Sequence, residues 1–211
     1  MEIYPVEAGP VYTIGYLVYD PDSAKAILID APLDCSHAIL EFLGEKKLEL
    51  EKIILTHTHW DHMGDAAELS KETGAEVLCH QADAYRLDDP NEHAMMFLPF
   101  DINPVDNRTY INEGDMVKVG NIKFSVVHTP GHTEGGICLV NKPGKTIFSG
   151  DTLFLGSIGR TDLRGGDTET LLDSIRTKLF TLGDDYRVYP GHGSDTTIGV
   201  ERKSNIFFQK K

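Results

Sequence analysis

The sequence predicts an α/β fold, a sheet flanked by helices, and three observations carry that prediction. Short runs rich in β-branched and aromatic residues recur along both halves of the chain. Two longer stretches, residues 34–47 and 168–180, place their apolar residues at helical spacing. Across residues 26–79 the order is strand, helix, strand, helix, strand, which is the order of a sheet covered by helices.

Strands are expected first at 3–6, 12–19 and 26–29, with Asp20-Pro21-Asp22-Ser23 turning the second into the third as a hairpin. Asp30 ends the third strand, where it serves either as a carboxylate orienting a metal-bound histidine from behind or as a turn cap. Residues 34–47 carry Ala38, Ile39, Phe42 and Leu43 on one helical face, with Asp34 as N-cap and His37 at the surface. The apolar run Lys52-Ile53-Ile54-Leu55 is a buried strand, followed by a helix at 65–73 that stops at Gly74 and a strand at 76–79.

From residue 81 to 110 the pattern weakens. A short helix fits 82–87, Asp88-Asp89-Pro90-Asn91 breaks it, and Met95-Met96-Phe97-Leu98-Pro99-Phe100 fits a lid or substrate wall, or plain packing. Strands at 116–119 and 122–127 turn at Gly120-Asn121, and a second pair at 137–140 and 146–148 turns at Asn141-Lys142-Pro143-Gly144. Asp167 caps the helix at 168–180, a strand follows at 186–189, and a closing helix spans 198–204. No linker stands out, so a single domain over 1–211 is expected.

The net charge of −13 opposes nonspecific binding to nucleic acid or to an anionic membrane, both of which need a basic surface. The N-terminal residues lack the basic and apolar regions of a signal peptide, and no stretch is long and apolar enough for a membrane span. A cytoplasmic location is expected. Cys35, Cys79 and Cys138 are widely spaced among apolar neighbours, which fits buried free thiols rather than a disulfide framework or a cysteine metal site.

Four of the seven side chains in Thr56-His57-Thr58-His59-Trp60-Asp61-His62 can ligate a metal. In extended chain just past a strand, residues two apart point the same way, so His57 and His59 project together. Imidazoles suit zinc, iron and related metals, and an added carboxylate allows a second ion or a base. Three later strand ends deliver further ligand types: Thr129-Pro130-Gly131-His132, Ser149-Gly150-Asp151 and Pro190-Gly191-His192. In each, a glycine bends the backbone so that the next side chain can turn into a common site.

This series, T-H-x-H-x-D-H, then G-H, G-D and P-G-H, resembles the metallo-β-lactamase superfamily of metallohydrolases over nearly the whole chain. Within it, Gly150-Asp151-Thr152-Leu153-Phe154 and Gly159-Arg160-Thr161-Asp162 are similar to the branch holding glyoxalase II (hydroxyacylglutathione hydrolase) and persulfide dioxygenase. The tail Glu201-Arg202-Lys203-Ser204-Asn205 is similar to short bacterial glyoxalase II-like proteins. The resemblance implies an αββα sandwich, two mixed sheets face to face with helices outside and metals at one edge. It implies two divalent metal ions, zinc foremost, with iron or manganese as alternatives. His57, His59 and His132 would hold one, Asp61, His62 and His192 the other, and Asp151 would bridge them.

The implied activity is hydrolysis of an anionic, glutathione-type thioester such as S-lactoylglutathione, with Asp61 and Asp151 as catalytic carboxylates. The alternative is a persulfide dioxygenase with one iron on His57, His132 and Asp151; that branch tends to carry alanine where this chain has Gly191, which favours the hydrolase. A non-catalytic metal-binding protein would need lost ligands, and none is lost. The chain ends soon after His192, without the C-terminal helical domain that supplies basic residues for glutathione in full-length glyoxalase II. It also has Gly159-Arg160-Thr161-Asp162-Leu163-Arg164 in place of a lysine- and tyrosine-containing segment, so a lower affinity for glutathione thioesters is expected.

Arg160 is expected to bind an anionic part of the substrate, since a chain of net −13 needs local cations; a salt bridge to Asp162 or Asp167 is the competing role. His128, Cys138 and Trp60 match no ligand position and are read as core or supporting residues, and His80 and His93 remain unassigned. A monomer or homodimer is expected.

Overall fold

The computed structural model describes residues 1–91 and 101–209. His93 and the run Met95-Met96-Phe97-Leu98-Pro99-Phe100, read above as lid or packing, lie outside the described residues. In the first half run β1 (Glu2–Ala8), β2 (Thr13–Asp20), β3 (Lys25–Ile29), α1 (Ser36–Lys46), β4 (Glu49–Ile54), α2 (Trp60–Met63), α3 (Ala66–Thr73), β5 (Glu76–Cys79), α4 (Tyr85–Asp88) and β6 (Arg108–Tyr110). The second half has β7 (Met116–Val119), β8 (Ile122–His128), β9 (Ile137–Asn141), β10 (Thr146–Gly150), β11 (Leu153–Phe154), β12 (Ser157–Ile158), α5 (Thr168–Ser174), β13 (Arg187–Pro190), β14 (Thr196–Thr197) and α6 (Ile198–Ser204).

Alternation along the strands sets the layering, because successive side chains leave a strand on opposite faces. In β3, Ala26 and Leu28 join an apolar layer with Ile39 and Leu43 of α1 and Leu69 of α3, whereas Ile27 and Ile29 face Phe124, Val126 and Phe148 of the other half. In β9, Ile137 and Leu139 enter that same central layer, and Cys138 and Val140 pack under Leu171 and Leu172 of α5. Three apolar layers separate four layers of structure, which makes an αββα sandwich. Both sheets are mixed: β1-β2-β3-β4-β5-β6, parallel from β3 onward, and β14-β13-β10-β9-β8-β7, parallel only between β10 and β13.

Several elements differ from the sequence reading. Asp34 does not cap α1: it sits in the left-handed region at φ 65°, and the Ser36 amide is capped from a distance by Asp65 Oδ2 at 2.8 Å. The helix from 168 is α-helical only to Ser174; Ile175–Leu179 is a π-helical turn, in which the Phe180 amide reaches back five residues to Ile175 O at 2.8 Å. The strands β6, β11, β12 and β14 were not anticipated, being two or three residues long and too short for any periodicity to register.

Two backbone hydrogen bonds join the halves where the sheets end. The amide of Ile137 donates to Thr56 O and that of Ile14 to Gly191 O, each at 2.8 Å. They bring the segment after β4 beside β9 and the segment after β13 beside β2.

Candidate metal centre

The first histidine group forms where the β4 and β8 ends meet. His132 Nε2 lies 3.2 Å from His57 Nε2 and 2.9 Å from His59 Nδ1. His59 is the last extended residue before α2, at ψ 148°, so its ring lies beside that of His57 while the next residues turn into a helix. His132 Nδ1 donates to the carbonyl of Arg160 at 2.7 Å, which leaves Nε2 as a lone pair aimed at the other two rings. Gly131, at φ 129°, makes this turn against α5; a Cβ there would lie 2.2 Å from Leu171 N.

The second group comes from the first turn of α2 and the β13 end. His62 Nε2 lies 3.4 Å from His192 Nε2 and 3.4 Å from Asp61 Oδ2, and His192 Nε2 lies 3.3 Å from the same oxygen. Behind His62, Nδ1 donates to Asp30 Oδ2 at 2.9 Å. Asp30 is buried and also accepts from the Thr56 amide at 2.7 Å and the Thr56 hydroxyl at 2.8 Å. Of the two roles open to Asp30 in the sequence, it therefore takes that of orienting a histidine. Thr13 Oγ1 holds Asp61 Oδ2 at 2.7 Å.

Asp151 stands between the groups. Its Oδ1 lies 3.2 Å from His62 Nε2, and its Oδ2 lies 3.6 Å from both His132 Nε2 and His192 Nε2. Asp151 Oδ1 is a buried acceptor without a hydrogen-bond donor. His62 commits its Nδ1 proton to Asp30, so any proton on Nε2, 3.2 Å from Asp151 Oδ1, is one that an ion would displace.

These residues fit a divalent ion. A four-coordinate ion with nitrogens at about 2.0–2.1 Å spaces them roughly 3.3 Å apart, close to the separations seen. Lone pairs this near one another repel unless a cation or proton lies among them. Burial first, then the charges of His62 and His132, holds His57 well below the usual imidazole range. Burial, His132 and Arg86 take His59 down to about 3. His62 behaves oppositely: burial pulls it down, but Asp151, Asp61 and Asp30 outweigh that and raise it well above its ordinary value. For Asp61 and Asp151 burial pushes upward, but His62 and its neighbours hold both carboxyls below their usual range. Among the described residues, the groups that could hold an ion are His57, His59 and His132; His57, His62 and Asp151; and Asp61, His62 and His192.

A pocket of about 170 Å³ opens beside this centre, lined by Val11, Trp60 and Leu163 as well as His59, Asp61, Asp151, His192 and Arg160. Trp60, read from sequence as core, thus also forms a pocket wall. Arg160 lines the mouth with its guanidinium paired to Asp162 by two hydrogen bonds of 2.8 Å. Asp167 is not its partner: it caps α5 by accepting from the Thr170 amide at 2.7 Å. His128 stacks on His80, with ring centroids 4.1 Å apart, and its Nε2 donates to Glu134 O at 2.9 Å. All three cysteines are buried free thiols.

Sequence reasoning missed Thr13 and Tyr16. Tyr16 donates its hydroxyl to Pro190 O at 2.7 Å and so steadies the turn that presents His192. Neither residue belongs to a motif; each is an ordinary strand residue until its distant partner is known.

Comparison with known proteins adds the following. A family model described as the metallo-β-lactamase superfamily matches residues 8–192. Hydroxyacylglutathione hydrolase GloC of Haemophilus influenzae is 40% identical over 197 residues, 92% of each chain. The crystal structure of BLEG-1 B3 metallo-β-lactamase superposes with a TM-score of 0.91 at 33% identity, covering 99% of this chain and 100% of that one. The crystal structure of ETHE1 from Myxococcus xanthus gives 0.79 at 30% identity, covering 98% and 84%.

Proposed function

The chain belongs to the metallo-β-lactamase superfamily, and from that premise we propose that it is a binuclear metallohydrolase cleaving glutathione-type thioesters such as S-lactoylglutathione. The observation that carries this reading is Asp151, whose two oxygens face the two ligand groups. His57, His59 and His132 are assigned to one divalent ion, Asp61, His62 and His192 to the other, and Asp151 to both. Such ions, zinc being the first choice for this donor set, would lower the pKa of water toward neutrality and polarise a carbonyl oxygen.

The chain's own residues supply the rest. Asp61, kept ionised by His62 and fixed by the Thr13 hydroxyl, is placed to hold the second ion and to orient water by accepting a hydrogen bond from it on the pocket side. Val11, Trp60 and Leu163 form apolar walls that limit competing solvent around the thioester carbonyl. A thiolate is a good leaving group, so no general acid is required. Arg160 at the mouth is assigned to a substrate carboxylate, in competition with Asp162.

Metal analysis of the reconstituted protein is expected to approach two equivalents, with hydrolysis of S-lactoylglutathione. Asp61→Asn should lower that rate by about a hundredfold or more. A plateau at one equivalent, with oxygen uptake on glutathione persulfide and no thioester cleavage, would overturn the assignment in favour of the dioxygenase.

A further inference from the structure

Behind the first histidine group lies a buried ion pair for which the chemistry above has no use. Asp83 is 0% exposed and Arg86 4%, with Arg86 Nη1 3.0 Å from Asp83 Oδ1. Burying charge is costly unless the remaining lone pairs and protons are satisfied, and here they are. Asp83 Oδ1 also accepts from the Gly135 amide at 2.7 Å, and Oδ2 accepts from the Thr133 hydroxyl at 2.7 Å. The backbone carbonyl of Asp83 accepts from the Thr58 hydroxyl at 2.8 Å. Arg86 Nη2 donates to Glu134 Oε2 at 2.9 Å and to Arg164 O at 3.0 Å.

The pair, together with the Asp83 backbone carbonyl that it anchors, thus joins three segments that build one side of the centre. Thr58 lies between His57 and His59, Thr133 follows His132, and Arg164 closes the loop whose Arg160 carbonyl orients His132. A Cβ on Gly135 would lie 2.7 Å from Asp83 Cγ, so glycine there permits the close approach. None of these contacts reaches Asp61, His62 or His192, which rest on Thr13, Asp30 and, through the Pro190 turn, Tyr16.

We propose that Asp83 is a positioning residue for His57, His59 and His132, fixing the spacing of the loops that carry them and so setting the affinity of that group alone for a divalent ion. This rests on the metal-centre reading above. Metal sites lose affinity when ligands shift by about 0.5 Å, and loss of an outer partner typically weakens binding roughly ten- to a hundredfold.

The test is cobalt(II) titration of the metal-free protein in two backgrounds. His192→Ala leaves the first group intact, and His59→Ala leaves the second. Asp83→Ala is expected to weaken binding about tenfold or more in the first background and less than about twofold in the second. Equal weakening in both, or none in the first, overturns the role. If Asp83→Ala does not fold, Thr133→Val removes a single hydrogen bond to the same carboxylate. It should give a several-fold loss confined to the His192→Ala background; an equal or absent loss again overturns the role. Failure of both parent backgrounds to bind cobalt would refute the metal-centre reading and this role together, whereas binding indifferent to Asp83 refutes only the role.

Discussion

The two ligand groups meet at Asp151 but are built on different principles. His57, His59 and His132 are all imidazoles, held by a threonine hydroxyl, a backbone carbonyl and the remote Asp83–Arg86 pair. Asp61, His62 and His192 include a carboxylate and lean on a second one, Asp30. The first group therefore holds His57 and His59 neutral, with His59 down at about 3, while the second keeps an extra proton on His62 when no ion is present. An ion entering the first group meets free lone pairs. An ion entering the second must displace a proton, even though more negative charge awaits it. The same fold end thus offers one site that is pre-emptied and one that is charge-attracting.

Asp30→Asn should separate the groups most sharply. It removes the negative charge behind His62 and one acceptor of the Thr56 contacts, while the first group keeps its own supports. In a His59→Ala background it is expected to weaken metal binding by roughly ten- to a hundredfold. In a His192→Ala background the change should be several-fold at most. Comparable losses in both would show that Asp30 serves the whole centre through Thr56, and the division into two supports would fail.

The pH dependence of loading sharpens the contrast further. The folded-state value of His62 is raised well above 6.5, so below that raised value the metal-free group binds a proton that the ion must expel. Its affinity should climb steeply with pH across that range, because, against burial, Asp61 and Asp151 raise His192 as well and up to two protons are released per ion. His57 and His59 are depressed, so from pH 8 to 6 they are already neutral and contribute little slope. Calorimetry in buffers of different ionisation enthalpy, run on the two single-site backgrounds, measures the protons directly. Equal release from both would remove the electrostatic distinction.

How much of this was legible beforehand depends on distance along the chain. The segments ending β4, β8, β10 and β13 announce themselves locally, through closely spaced histidines after β4 and a glycine beside the ligand-type residue after the other three. The structure brings all seven of those ligand-type side chains into one cluster. Asp30 was visible as a candidate, but its choice between two roles needed Thr56 and His62, which are 26 and 32 residues away. Thr13 and Asp83 could not be distinguished from a routine strand threonine and a helix-start aspartate, since their partners Asp61 and Thr133 are 48 and 50 residues away. Arg160 shows the same limit: the pattern allowed Asp162, Asp167 or substrate, and only folding separates a two-residue pairing from a helix cap.

The smallest expected effect comes from Tyr16, and it tests whether the second group has a support of its own beyond its charges. The Tyr16 ring packs against Phe148 and Tyr189, with centroids 5.2 and 5.6 Å away, and phenylalanine would keep that packing. What Tyr16→Phe removes is the hydroxyl that donates to Pro190 O, two residues before His192. Burial, followed by the charge of Asp30, holds this phenol above its usual range, so it remains a donor at any working pH. A net loss of about 1 kcal/mol is expected, lowering Tm by roughly 2–4 °C for a chain of this size. Because the lost bond steadies the turn of His192 and not that of His132, metal affinity should fall a few-fold in the His59→Ala background and stay level in the His192→Ala background. A fall of the same size in both would mean that Tyr16 acts through the layer between the sheets, and that the two groups share their support.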